Sequence, residues 1–377
     1  MSGIKLTEMP VRIPSSATFE LTLRCNLKCK MCLFRHEDCE NSALKAAELS
    51  TEQWIDMARQ TAELGTIDLL ITGGEPMIRD DFCEIWEGIY RQGFLIELYT
   101  NATLVNEKIM ETLRKYPPHR IGITLYGASE DTYQAVCGNG SMYRRAVDGI
   151  KQLMTLPSIL NFRATIIKDN FHEAEAIARL VSEEFGYPEN LTTTRIVNKG
   201  VRGACGKAEA CRLEPKENIW LLHLLTRMRL KDIMGERYNE DAFRIEGYET
   251  TEPDYSECRE EQQFSLLGCK GGMRQFTLTY DGRLLGCQML DAFWTDARKS
   301  GLKEAWESYP FSVKLPERHE KCRSCKHMEL CSICPAVIYA ETGSLDGWPE
   351  YVCKDTEELL KLLGNKWKGG HRYETEI

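Results

Sequence analysis

Strand-like and helix-like stretches alternate between residues 17 and 200, and this alternation restricts the fold more than any other property of the chain. TFELTLR reads as a first strand. STEQWIDMARQTAELG reads as a helix, with Ser50 as N-cap, Gln53 completing a capping box and Gly65 as the stop. IDLLITGG, FLIELYTN, RIGITLYG, LNFRATII and NLTTTRIVN continue the strands, with helical stretches between them. Counting a helix near residues 215–234, six strand-plus-helix units follow one another. Repeated β-α units imply a parallel sheet with right-handed crossovers. Six are too few for a closed eight-stranded barrel, so the expected class is α/β, a partial (β/α)6 TIM-like barrel. Its chemistry belongs on the loops at the strand C-termini.

The character changes near residue 235 to polar, irregular sequence such as GYETTEPDYSECREEQQ. We therefore divide the chain into an N-terminal segment (1–16), the barrel (17–235), a second domain (236–360) and a polar tail (361–377). In the second domain FTLTYDGRLLGC predicts a hairpin turning at Asp281-Gly282. A helix is expected over about 355–363. The N-terminus has no apolar segment of the kind found in signal peptides, and no apolar run reaches membrane-spanning length. The net charge of −9 offers no broad attraction to nucleic acid or anionic lipid. A cytoplasmic protein without nucleic-acid or membrane partners is expected.

In that compartment 16 cysteines argue for metal ligation or catalysis over disulfides. Cys25, Cys29 and Cys32 sit together on the loop after the first strand, and eight more lie between Cys258 and Cys353. Cys39, Cys83, Cys137, Cys205 and Cys211 are scattered. Cys83 and Cys137 read as helix residues, whereas Cys205 and Cys211 fall on the loop after strand six. The triple, C-x3-C-x2-C, suits a four-iron cluster with three irons held and one left open. A closed zinc site would need a fourth ligand, Cys39 or His36.

C-x3-C-x2-C directly after a first barrel strand resembles the signature of the radical S-adenosylmethionine (SAM) superfamily. The second strand ends in Gly73-Gly74-Glu75-Pro76, which matches that family's GGEP motif. The resemblance implies that the cluster on Cys25, Cys29 and Cys32 binds SAM through its open iron, with reductive cleavage giving a 5′-deoxyadenosyl radical. It implies that Gly73, Gly74, Glu75 and Pro76 orient the SAM ammonium through backbone carbonyls and the Glu75 carboxylate. Asn101, Thr124, Arg163 and Asn198 become SAM contacts, with Arg163 matched to the SAM carboxylate. Met31 stands where an aromatic residue is common, packing near adenine, and Tyr126 sits above strand four.

The second cysteine set runs C-x12-G-x4-C from Cys269 to Cys287, then C-x2-C-x5-C-x2-C from Cys322 to Cys334, then Cys353. Paired cysteines of this kind also build zinc ribbons. Taken with the N-terminal motifs, they resemble the SPASM extension, a small cysteine-rich α+β domain with a β-hairpin and two auxiliary [4Fe–4S] clusters, giving three in all. The resemblance assigns Cys322, Cys325, Cys331 and Cys353 to the outer cluster. Cys258, Cys269, Cys287 and Cys334 go to the inner one, with Cys211 or an open iron as alternatives to Cys258. Two residues separate Cys331 and Cys334 where the family usually has three. Relatives include peptide maturases and anaerobic sulfatase maturases. Gln288 stands where the latter keep a basic aspartate, so Asp291 is the candidate base.

The leading expectation is an anaerobic oxidoreductase that modifies a ribosomally made precursor peptide, forming a thioether or carbon–carbon crosslink. The alternatives are a small-molecule dehydrogenase or epimerase, then a sulfatase maturase, and last a non-catalytic metal module. A reductase such as flavodoxin or ferredoxin would supply electrons. With 24 residues before Cys25, leader recognition falls to a separate protein or a groove.

Overall fold

The computed structural model describes residues 12–188, 190–235, 269–310, 316–325, 331 and 333–363. Its first six strands are β1 (Ser16–Glu20), β2 (Asp68–Thr72), β3 (Leu95–Thr100), β4 (Arg120–Leu125), β5 (Ile159–Thr165) and β6 (Leu191–Thr194). Each pairs in parallel with the next. The crossovers are α1 (Asn41–Ala47) with α2 (Thr51–Glu63), α3 (Phe82–Tyr90), α4 (Glu107–Lys115), α5 (Glu130–Cys137) with α6 (Met142–Leu153), and α7 (Ala174–Arg179). A π turn, Leu180–Glu184, continues α7, and α8 (Pro215–Met234) follows β6. The expected partial (β/α)6 barrel is therefore what forms. The capping box on α2 is present in both directions, Ser50 accepting from the Gln53 N–H and Gln53 reaching back.

Strand alternation gives the sheet two unlike faces. Leu69, Ile71, Ile96, Leu98, Ile121, Ile123, Leu160 and Phe162 are buried in one core with Trp54 and Trp86 from the helices. The same strands turn Thr72, Glu97, Tyr99, Thr124, Arg163 and Thr165 to the other side, where all but the strand ends stay half-buried. A parallel sheet covered on both faces carries apolar residues on both. This polar face instead lines the open lumen of the barrel.

The C-terminal strands extend the same sheet, in the order β6-β5-β4-β3-β2-β1-β7-β8-β9. β7 (Gln275–Leu278) runs parallel to β1, with Ser16 opposite Gln275. β8 (Arg283–Cys287) and β9 (Leu290–Asp296) return antiparallel, with an irregularity between Leu285 and Cys287. The hairpin turns at Gly282 (φ 89°), as the Asp-Gly pair predicts. β9 is an addition to the sequence reading, although its alternating exposure follows the pattern of LDAFWTD. Among the helices that follow are α9 (Leu302–Ser308), α10 (Pro335–Thr342) and α11 (Glu350–Leu363). α11 starts a turn earlier than expected because the Pro349 carbonyl accepts the Cys353 N–H.

Polar contacts fix the last two helices to the barrel. Arg212 donates to Glu341 at 2.5 Å and to the Val197 carbonyl, and it lies over the Tyr351 ring at 4.3 Å. Arg195 and Asn218 both reach Asp355, at 2.6 and 2.8 Å. Among the described residues no helix is long and apolar enough to cross a membrane. The N-terminal segment up to residue 11, the boundary at 236 and the tail from 364 lie outside the described residues.

Candidate functional site

The cysteine loop leaves the C-terminal end of β1 and is held on three sides. Beneath it, the GGEP turn is laced to the start of the loop: Gly74 N–H donates to the Thr22 carbonyl at 2.7 Å and Glu75 N–H to that of Arg24 at 2.9 Å. A Cβ on Gly73 or Gly74 would overlap those same carbonyl oxygens, and Gly73 has φ 145°. The glycines are required by this close backbone approach. Beside the loop, the end of α5 accepts two bonds, Lys28 N–H to Cys137 O and Lys30 N–H to Val136 O. Above it, the stretch after β6 donates from Val201 N–H to Leu33 O and from Cys205 N–H to Arg35 O, both at 2.9 Å.

Cys25, Cys29 and Cys32 line a cavity of about 250 Å³ together with Gly73, Gly74, Met31, Thr124 and Tyr126. Burial pushes the Cys25 thiol well above its ordinary value, with the neighbouring Cys29 adding to the effect. The Cys137 contact and then burial do the same for Cys29, and burial takes Cys32 up to about 11. Metal ligation deprotonates thiols outright, so a cation sharing their site would offset these upward shifts. Three sulfurs on one side of a cavity, with ligand-sized space beside them, fit an iron–sulfur cluster with an open position. Cys39 is exposed, and among the described residues no three His, Cys, Asp or Glu side chains close on a single ion.

Glu75 turns away from this cavity. Its enclosed carboxylate accepts from Asn101 N–H at 2.7 Å, Thr100 Oγ1 at 2.9 Å and Met77 N–H at 3.2 Å. The sequence reading aimed this carboxylate at the SAM ammonium; the free donors at the end of β3 capture it instead. Pro76 is buried at the start of the next turn. Burial raises Glu75 to about 7 against these three hydrogen bonds. The folded chain thus holds this proton more tightly than the unfolded chain does. Metal-free protein should lose about 3 kcal/mol of stability as pH rises from 4 to 8. Denaturant midpoints across that range should show the loss in wild type but not in Glu75→Gln.

Asn101 backs the site: its Nδ2 lies 3.9 Å from Cys25 Sγ and 3.1 Å from Asn26 Oδ1, and its Oδ1 accepts from Thr103. Thr124 lines the cavity. Arg163 does not: it lies over the Tyr99 ring at 4.3 Å and 4.0 Å from Glu97, on the lumen wall, in space left by Gly122. Asn198 is half-buried, with Oδ1 enclosed and without a hydrogen-bond partner. Asp291 is half-buried at the start of β9 and also does not line the cavity. Cys205 is exposed and hydrogen-bonds the Arg35 carbonyl and Glu37, whereas Cys211 is buried on the Ala208 carbonyl.

In the C-terminal part, Cys269 and Cys334 lie close enough to Cys287 to add to the effect of burial, which takes its thiol to about 11. Cys322 neighbours Cys331 and Cys325, and Cys353 neighbours the same two. Cys269, Cys287 and Cys334 thus neighbour one another, and Cys322 and Cys353 share Cys325 and Cys331 as neighbours. Cys258 lies outside the described residues.

Several residues of the site escaped the sequence reading. Arg202 donates both terminal nitrogens to Glu20, at 2.6 and 2.7 Å, with each side chain 1% exposed. The same guanidinium covers the Phe34 ring at 4.1 Å, two residues beyond Cys32. Arg79 joins Glu48, Asp81 and the Leu21 carbonyl, and Arg24 joins Glu48. Glu48 thereby ties the loop to the crossover that follows it.

Because the Gly74 contact is backbone to backbone, Gly74→Ala should separate the turn from the loop. Misplacement on the order of 1 Å costs about a hundredfold in rate. SAM cleavage by that variant should drop by roughly this factor with iron content maintained.

The family model for the Radical SAM superfamily matches residues 19–181. The AdoMet-dependent heme synthase of Methanosarcina barkeri (strain Fusaro / DSM 804) is 25% identical over 346 residues, covering 88% of this chain and 93% of that protein. The PqqA peptide cyclase of Granulibacter bethesdensis (strain ATCC BAA-1260 / CGDNIH1) is 25% identical over 348 residues, covering 88% and 85%. Among solved structures, Streptococcus suis SuiB bound to S-adenosylmethionine superposes with a TM-score of 0.65 at 16% identity, covering 91% of this chain and 77% of that one. SuiB bound to precursor peptide SuiA gives 0.64 at 15%, covering 91% and 76%. These solved structures share the fold. Family match, barrel and cysteine loop agree on one stretch of sequence, and the chain carries a radical SAM domain over residues 19–181.

Proposed function

We propose that this radical SAM enzyme oxidatively modifies a ribosomally made precursor peptide, forming a thioether or carbon–carbon crosslink. The observation that carries the radical part of this reading is the trio of thiols, Cys29 buried and Cys25 and Cys32 half-buried, lining the cavity with Gly73 and Gly74. A [4Fe–4S] cluster bound there together with SAM would supply one-electron reductive chemistry and hence hydrogen abstraction. Cys25, Cys29 and Cys32 hold that cluster. Gly73 and Gly74 present backbone to the SAM amino group, Asn101 fixes the Cys25 side, and Thr124 meets the ribose. Arg163 and Asn198 complete the polar wall. Arg163 reaches the SAM carboxylate only by leaving its Tyr99 stack, while Pro76 and Glu75 hold the turn in place.

The C-terminal part is proposed as a SPASM domain with two further clusters. Cys258, Cys269, Cys287 and Cys334 hold the inner one, and Cys322, Cys325, Cys331 and Cys353 the outer one. The two groupings of thiols support this ligand division. Asp291, a few residues beyond Cys287, is the proposed base for the substrate proton. A flavodoxin- or ferredoxin-type reductase supplies electrons, and a separate recognition protein or a groove presents the peptide. The cytoplasm is the proposed compartment.

Similarity to a peptide cyclase, and to SuiB in its peptide-bound form, supports a peptide substrate. A small-molecule substrate is the second reading, favoured by the extent of similarity to a heme synthase. Reduced protein with SAM should be offered precursor peptides encoded beside its gene and, separately, candidate metabolites. Loss of two hydrogens from a peptide by mass spectrometry is expected. Conversion of a metabolite with every peptide unchanged would overturn the peptide reading.

A further inference from the structure

The three thiols of the loop have unequal surroundings. Cys25 receives the Leu27 N–H at 3.4 Å and faces the Asn101 amide. Cys32 receives the Phe34 N–H. Cys29 instead meets two side chains, the hydroxyl of Tyr126 and the thiol of Cys137, whose sulfur is 3.8 Å from its own. Cys137 is 1% exposed and closes α5, and Gly138 (φ 79°) ends that helix behind it. The carbonyls of Cys137 and Val136 are the ones bonded by Lys28 and Lys30, on either side of Cys29. Helix end and loop are therefore fixed to each other, and the sulfur contact is fixed with them. Cys29 and Tyr126 line the cavity but Cys137 does not, so Cys137 approaches the Cys29 sulfur from behind.

We propose that Cys137, together with Tyr126, is a positioning residue that donates a hydrogen bond to the Cys29 thiolate and raises the reduction potential of the cluster it ligates. This rests on the reading of Cys25, Cys29 and Cys32 as cluster ligands. Hydrogen bonds to a ligating sulfur spread its negative charge and favour the reduced form, which carries one more electron. A thiol is a weak donor, but burial excludes the water that would compete with it.

The test is a potentiometric titration of the anaerobically reconstituted full chain, followed by electron paramagnetic resonance. The component tracked is the one whose signal changes when SAM is added. Cys137→Ala and Tyr126→Phe should each shift its midpoint to more negative potential, while Cys137→Ser, which keeps a donor, should stay near wild type. Loss of the signal in Cys137→Ala with retention in Cys137→Ser would support the same role. Unchanged midpoints in Cys137→Ala and Tyr126→Phe would overturn the proposal, as would equal shifts or equal signal loss in the alanine and serine variants. If wild type has no SAM-responsive component, the ligand reading itself fails, a result distinct from an unshifted midpoint.

Discussion

Replacing Cys25, Cys29 and Cys32 together with alanine should abolish formation of 5′-deoxyadenosine from SAM, while iron remains in the C-terminal part of the chain. Burial and close neighbours push each thiol up, and the other ionisable residues lining the cavity, Lys28, Arg35, His36, Asp38 and Tyr126, provide no second set of three thiolates. With three methyl groups in their place, that wall of the cavity has no ligand for iron. The C-terminal cysteines neighbour one another and not the loop, so any iron they hold should not depend on it. Loss of the full rate of cleavage is expected, with iron falling by roughly four atoms of about twelve. Cleavage retained at a tenth of wild type or more would show that the loop is not the site. Iron falling to zero would show that the three cysteine groups are not independent.

The second large effect concerns a pair 182 positions apart. The side chains of Arg202 and Glu20 are both 1% exposed and joined by two charge-assisted bonds, and Arg202 is held at φ 56°. A non-glycine residue in that region costs roughly 1–2 kcal/mol, so the pair holds the backbone where it would not otherwise stay. Arg202→Met leaves the Glu20 carboxylate buried without its partner, at a cost of about 3–5 kcal/mol. Glu20→Leu combined with Arg202→Met should recover most of that loss, because the apolar pair needs no desolvation of charge. The single variant should also lose SAM cleavage, since Phe34 loses its cover and Val201 and Cys205 their hold on Leu33 and Arg35. Denaturant unfolding of the two single variants and the double gives the coupling energy. A loss below about 1 kcal/mol for Arg202→Met would mean that the pair is dispensable.

The parts of this protein legible in its sequence are those whose cause is local. Strand alternation, the Ser50 capping box and the Asp281-Gly282 turn are each written within a few residues, and each formed as expected. The cysteine loop was legible because its three cysteines are neighbours in sequence. Pairings between distant segments were not. Nothing in QFTL shows that it adds in parallel to SATFE, so the hairpin was expected and its attachment to β1 was not. Cys137 was legible as a helix end, but its contact with Cys29, 108 positions away, is set by how α5 packs on the loop. Glu75 was matched to a ligand because motif position is visible in sequence. The donors of Thr100 and Asn101 that capture it come from the next strand. Arg163 was placed on the correct strand, but Gly122 on the adjacent strand opens the space that lets it lie over Tyr99.

Reduced, anaerobically reconstituted protein incubated with SAM tests the central claim most directly. Formation of 5′-deoxyadenosine and methionine in wild type, and its absence in the protein lacking Cys25, Cys29 and Cys32, is the expected result. Iron bound in full with SAM recovered intact under strong reduction would contradict the account.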